Sequence, residues 1–90
     1  MRLIWLPRAG RNRRALINYI AQRDGQAALR LLREVRRQSQ SLLEFPERGR
    51  IGRQGSTREL VVVGTPYVLV YRVRPRAQRI EILAMLHERQ

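Results

Sequence analysis

The apolar pattern of this chain changes period once, and that change constrains the fold more than any other feature. Up to Pro46 the apolar residues recur at helical spacing; beyond residues 46–56 they recur at every second position. Ahead of the helical part, RLIW at 2–5 reads as a short apolar strand stopped by Pro7. From Arg8 to about Arg23, Leu16, Ile17, Ile20 and Ala21 share one helical stripe, with Arg13 and Arg14 nearby. DGQ at 24–26 breaks this helix, with Gly25 as the hinge. A second helix from about Gln26 to Phe45 turns Ala28, Leu31, Leu32, Val35 and Leu42 inward and Arg30, Arg33, Arg36 and Arg37 outward; Pro46 ends it. So short a connection forces the two helices antiparallel.

The segment PERGRIGRQGS, residues 46–56, has three glycines and three arginines but no phosphate-loop spacing, and reads as a loop. Strands follow at about 57–63, 67–74 and 79–87, with GTP (64–66) and PRAQ (75–78) as turns. The expected fold is α+β in the order β-α-α-β-β-β: a helical hairpin packed on one face of a small, mainly antiparallel four-stranded sheet. Residues 1–90 are expected to form a single domain. Along 67–74, Tyr67, Leu69, Tyr71 and Val73 point one way, and Val68, Val70 and Arg72 the other. Strict alternation along 79–87 sets Ile80, Ile82, Ala84 and Leu86 against Glu81, Leu83, Met85 and His87. The face carrying Arg72, Glu81, Met85 and His87 mixes charge with apolar residues, as a partly covered surface left for a partner does.

Charge narrows the partners. The net charge is +12, from 19 basic and 7 acidic residues, and every basic residue is arginine. Such a field draws polyanions or acidic proteins. Arginine stays protonated and forks onto phosphates or carboxylates, so it clamps well and serves poorly as a general base. With no cysteine there is no disulfide framework and no thiolate metal site; neither metal nor cofactor is expected. No apolar run reaches the ~20 residues of a membrane span. The apolar run in MRLIWLPRAG is too short for a secretory signal, so a cytoplasmic protein is expected. A chain this short buries a modest core, and a partner covering apolar surface would add to its stability.

The ordered combination of EFPERGR closing the second helix, then TRELVV and TPYVLVYRV, then RIEILAMLHER, resembles the RelE/ParE toxin superfamily of bacterial type II toxin–antitoxin systems. The resemblance covers essentially the whole chain. It implies a compact toxin that stops growth and an antitoxin, encoded beside it, whose C-terminal segment folds on binding. Operator DNA would be reached only through that antitoxin. An acidic antitoxin suits a basic toxin.

The superfamily has two branches. ParE-like members inhibit DNA gyrase and stabilise gyrase-linked DNA breaks; RelE-like members cleave mRNA on the ribosome. Cleavage by 2′-hydroxyl attack needs a base, an acid and cations around the phosphorane. His87 is the first acid–base candidate, with Glu59 and Glu81 behind it, and Arg58, Arg72 and Arg79 are the clamp candidates. In ribonuclease members the segment resembles YRLVY; here YVLVY puts Val68 where the clamping arginine stands, and Glu88 follows His87. The ending LHER resembles gyrase-directed members, many of which run on beyond the position of Gln90.

The expectation is therefore a gyrase-directed toxin rather than an enzyme. Its target- or antitoxin-binding residues would be Arg30, Arg33, Arg37, Arg58, Arg72, Met85 and His87. The alternative is a ribosome-dependent mRNA endoribonuclease with His87, Arg72 and Arg58 as the catalytic set. A third class is a non-catalytic basic nucleic-acid-binding domain, for which the sequence offers charge but no recognition helix, aromatic RNA-binding motif or zinc site. Trp5, Tyr67 and Tyr71 read as core or cross-strand packing.

Overall fold

The computed structural model describes residues 1–89; Gln90, at the end of the C-terminal segment, lies outside them. A mixed five-stranded sheet in the order β1-β5-β4-β3-β2 carries the helical hairpin on one face. Strand β1 (Arg2–Trp5) runs parallel to β5 (Arg79–His87). The pairs of β5 with β4 (Tyr67–Arg74), β4 with β3 (Arg58–Val61), and β3 with β2 (Arg50–Ile51) are antiparallel.

The sheet thus has five strands rather than the four expected. The extra one, β2, is two residues inside the 46–56 stretch and too short to show a period. Neighbouring side chains hold it in place. The Tyr71 hydroxyl donates to the Pro46 carbonyl at 2.7 Å and accepts from the Gly49 N–H at 2.9 Å. Arg58 donates to the carbonyls of Glu47 (3.3 Å) and Gly49 (2.8 Å), and Arg50 pairs with Glu59 at 3.0 Å. Gly49 is required by this approach: a Cβ there would lie 2.6 Å from the Tyr71 ring and 2.9 Å from the Glu59 carbonyl.

Helix α1 (Pro7–Ala21) starts on the proline itself, whose missing N–H has no helical partner to lose at that position. Helix α2 (Gly25–Gln40) is capped by Asp24, which accepts from the Ala27 N–H at 3.1 Å. Asp24 and Gly25 therefore begin the second helix instead of only breaking the first. A 3-10 turn at Ser41–Leu43 follows, so Glu44 and Phe45 lie beyond the helix expected to include them. Ala28, Leu31, Val35 and Leu42 pack inward as expected, whereas Leu32 and Ala21 stay exposed. With Leu60, Val62, Leu69, Tyr71, Ile80 and Ile82 they form the core between hairpin and sheet. Gln38 ties α2 to the β3–β4 turn: its amide donates to the Val63 carbonyl (3.1 Å) and accepts from the Val63 N–H (2.7 Å). With both backbone groups of Val63 so engaged, β3 ends at Val61 rather than Val63.

The largest correction concerns β5. Val70 pairs with Ala84 and Tyr71 with Ile82, so Leu83 is an inserted bulge residue. One extra residue reverses the alternation of everything beyond it. Ile80, Ile82 and Met85 therefore share the core, while Ala84 and Leu86 move to the open face, opposite Val70 and Val68, and His87, expected on the face of Arg72 and Glu81, turns to the hairpin side beside Tyr67. Met85 is 5% exposed and its N–H donates to Asn12 of α1 at 3.1 Å, so it offers no surface to a partner.

Candidate functional site

The open face of the sheet has two chemically different ends. At the β4–β5 turn, Glu81 is the centre of an arginine cluster. Arg72 Nε donates to its Oε1 at 2.6 Å and Arg79 Nε to its Oε2 at 2.7 Å. The Arg74 guanidinium stands 3.9 Å away. The Arg72 hydrogen bond and the charges of Arg72 and Arg79 hold the Glu81 carboxyl below the usual carboxylate range, against the opposing effect of burial. The carboxylate is only 3% exposed, while the arginines around it remain accessible. Register explains the grouping: Arg72 faces Glu81 across the β4–β5 pair and Arg79 is two residues from Glu81 on the same strand.

The other end has an apolar floor. Val68, 5% exposed, faces Leu86 across the ladder. A small recess there is lined by Val68, Val70 and Leu86 together with Arg53, Glu59 and His87. The His87 ring meets Tyr67 edge-on at 5.7 Å between centroids, and His87 Nδ1 accepts from the Arg89 N–H at 3.2 Å.

The expected catalytic set of His87, Arg72 and Arg58 is not brought together. His87 pairs with Tyr67 and Arg72 with Glu81, five positions apart along β4; at ~3.3 Å per residue that is about 17 Å. Arg58 points to the opposite face, paired with Tyr71, and its guanidinium binds the carbonyls of the 46–49 segment. It is not in an ion pair with Glu59, which takes Arg50 instead. Arg30, Arg33 and Arg37 lie on the solvent side of α2, where Arg37 pairs with Glu34 at 2.7 Å. That surface is separate from Arg72.

Two apolar recesses escaped the sequence reading. One lies between the end of α2 and β4, lined by Met1, Phe45, Pro46, Val73 and Pro75 beside Arg58. The second runs along the free edge of β1, between Leu3 and Trp5 on one side and Leu32 and Leu43 on the other, with Arg2, Arg13 and Arg36 at its rim. Arg13 covers the Trp5 ring at 4.2 Å. The exposed side chains Phe45 and Leu43 after α2 were the available signal, hidden because the helix was read about five residues too long. Arg53 and Arg74 were missed because their roles depend on register. Among the described residues no group of metal-ligating side chains gathers, and no helix is long and apolar enough to cross a membrane.

A small arginine-rich sheet thus carries a helical hairpin on one face and leaves the other open. The family of the chain is shown by comparison. The sequence model described as "ParE toxin of type II toxin-antitoxin system, parDE" matches residues 3–90. The chain belongs to this family of toxins, within the RelE/ParE superfamily. It is 37% identical to "Putative toxin Y4kP" of Sinorhizobium fredii over 89 residues, covering 99% of this chain and 90% of that protein. It is 41% identical to "Toxin RelE2" of Caulobacter vibrioides over 71 residues, or 79% of this chain and 78% of the other. A solved structure from the chromosomal ParDE toxin–antitoxin system of P. aeruginosa superposes with a TM-score of 0.83, covering 97% of this chain and 95% of that one. At 22% identity that likeness speaks to the fold.

Proposed function

We propose that this toxin acts on DNA gyrase in the cytoplasm, trapping gyrase-linked DNA breaks, and that a cognate acidic antitoxin neutralises it. The observation that carries the reading is the separation of His87 from the arginine cluster. In-line attack on a phosphodiester needs base, acid and cation within hydrogen-bond reach, ~3 Å, of one reacting group. Here His87, paired with Tyr67, lies about 17 Å along the ladder from Arg72, while Glu59 takes Arg50 and Val68 makes the floor of the nearby recess apolar. Such a surface holds an anionic target and leaves bond breaking to the target enzyme.

Neutralisation follows from charge and from the recesses. The β1-edge recess offers Leu3, Trp5, Leu32 and Leu43 as an apolar seat with an arginine rim. A partner segment with apolar anchors and acidic flanks complements it. The similarity to a chain from a ParDE toxin–antitoxin system supports an antitoxin as that partner. Operator DNA is then contacted through the antitoxin. Pulse-labelling after induction tests the target: thymidine incorporation should fall while methionine incorporation continues. Early loss of methionine incorporation alone would overturn the gyrase reading.

A second reading, ribosome-dependent mRNA cleavage, has one feature in its favour. His87, Glu59 and Arg53 line the same recess beside Val68. It predicts that His87→Ala abolishes toxicity, whereas the gyrase reading predicts that toxicity persists.

A further inference from the structure

Three arginines stand side by side across three adjacent strands of the open face. Arg2 of β1 pairs in register with Arg79 of β5, and Arg79 pairs with Arg74 of β4. In-register partners point to the same side of a sheet, with neighbouring strands ~4.8 Å apart. Like charges directly opposite one another destabilise a sheet, and this row repeats that conflict twice. One carboxylate, Glu81, answers it. The bonds it accepts come from Nε of Arg72 and Nε of Arg79, so each guanidinium is held by its inner nitrogen and the Nη atoms remain for another acceptor. Local conflict of this kind persists where a ligand resolves it.

We propose that the Arg2–Arg79–Arg74 row, with Arg72 oriented by Glu81, binds the phosphate backbone of duplex DNA. The inference rests on the gyrase reading for its setting and names the part of the gyrase–DNA complex that the toxin touches. Phosphodiester oxygens accept from guanidinium forks, and backbone contacts of this kind need charge and position but no base recognition. An acidic protein segment fits less well: protein interfaces seat apolar anchors at their centre, and the row has none among its own residues, meeting the β1-edge recess only at Arg2.

The test is binding of a short fluorescent DNA duplex over a range of salt concentrations. The variant Arg2→Gln/Arg74→Gln removes the flanks of the row and leaves the close bonds of Arg72 and Arg79 to Glu81 intact. Its melting temperature should equal or exceed that of the parent, because repulsion is relieved. Its affinity for DNA should fall about tenfold, and the slope of log K against log salt should shrink by about 2. Arg11→Gln/Arg14→Gln on α1 makes the same change in net charge on another surface and should bind within about twofold of the parent. Equal weakening by both pairs would reduce the effect to diffuse charge and overturn the proposal. So would unchanged binding by the first pair, or loss of affinity for polyglutamate with DNA binding retained.

A gyrase cleavage assay on the same proteins separates the two readings. Breaks made by the parent, with DNA binding unaltered in Arg2→Gln/Arg74→Gln, retire this surface and keep the gyrase target. DNA binding lost in that variant, with no breaks made by the parent, supports this surface and retires the gyrase target.

Discussion

At the turn end of the β4–β5 ladder, Arg72, Arg74 and Arg79 gather about one buried carboxylate. At the far end, Val68 and Leu86 make an apolar floor beside His87, Glu59 and Arg53. Both ends belong to one antiparallel pair. The difference comes from side-chain identity at Val68 and from the bulge at Leu83. On the turn side of the bulge Glu81 faces the arginines; past it, Met85 falls into the core and Leu86 reaches the open face. Under the proposed gyrase reading, the arginine end is the part of this surface that holds phosphate.

The comparison can be broken at the bulge, and the effect there should be the largest. Inserting one alanine between Ala84 and Met85, just past the bulge, shifts the strand by one place, turns Met85 out of the core and forces Leu86 inward. The cost should reach about 5 kcal/mol, comparable with the whole stability of a small domain, and cooperative thermal unfolding should disappear. Gly49→Ala comes next. Its Cβ meets the Tyr71 ring and the Glu59 carbonyl, so chemical denaturation should show a loss of about 2–3 kcal/mol. Tyr71→Phe keeps the ring but leaves the Pro46 carbonyl and the Gly49 N–H without their partner, which should cost about 1–3 kcal/mol.

Glu81→Gln sharpens the comparison by changing the turn end alone. It should lower the melting temperature at neutral pH by a few degrees, and the deficit should depend on pH. The folded carboxyl titrates below its ordinary value of 4.5. The stability linked to its ionisation is therefore present above that value and is lost as pH falls through the lower folded one. The difference between parent and variant should narrow below about pH 4; a difference independent of pH would contradict the ionised cluster. His87→Ala should have the smallest effect. Losing the edge contact with Tyr67 should cost about 1 kcal/mol or less, with gyrase-directed activity retained.

Much of the architecture was legible because periodicity reports burial. The helical stripe of Ala28, Leu31 and Val35 and the alternation of Leu69 and Tyr71 are enforced by one continuous core. What stayed hidden depends on long-range pairing. Strand β2 is held by Tyr71, Arg58 and Glu59 rather than by its own pattern. The Leu83 bulge leaves no mark in an apolar run where either alternation is plausible, so Met85 was assigned to the wrong face. Gln38 looked like part of a polar helix surface until the backbone of Val63 supplied both its partners. At the candidate site, Arg72 was visible as a binding residue, but its grouping with Arg74, Arg79 and Glu81 required the register of β4 on β5.

The most direct test is incubation of the purified toxin with gyrase, supercoiled plasmid and ATP, followed by detergent and protease to reveal protein-linked breaks. The account predicts linearised plasmid that appears only when gyrase is present, with His87→Ala as potent as the parent. Intact plasmid at toxin concentrations far above stoichiometric, together with cleavage of mRNA on translating ribosomes that His87→Ala abolishes, would contradict it.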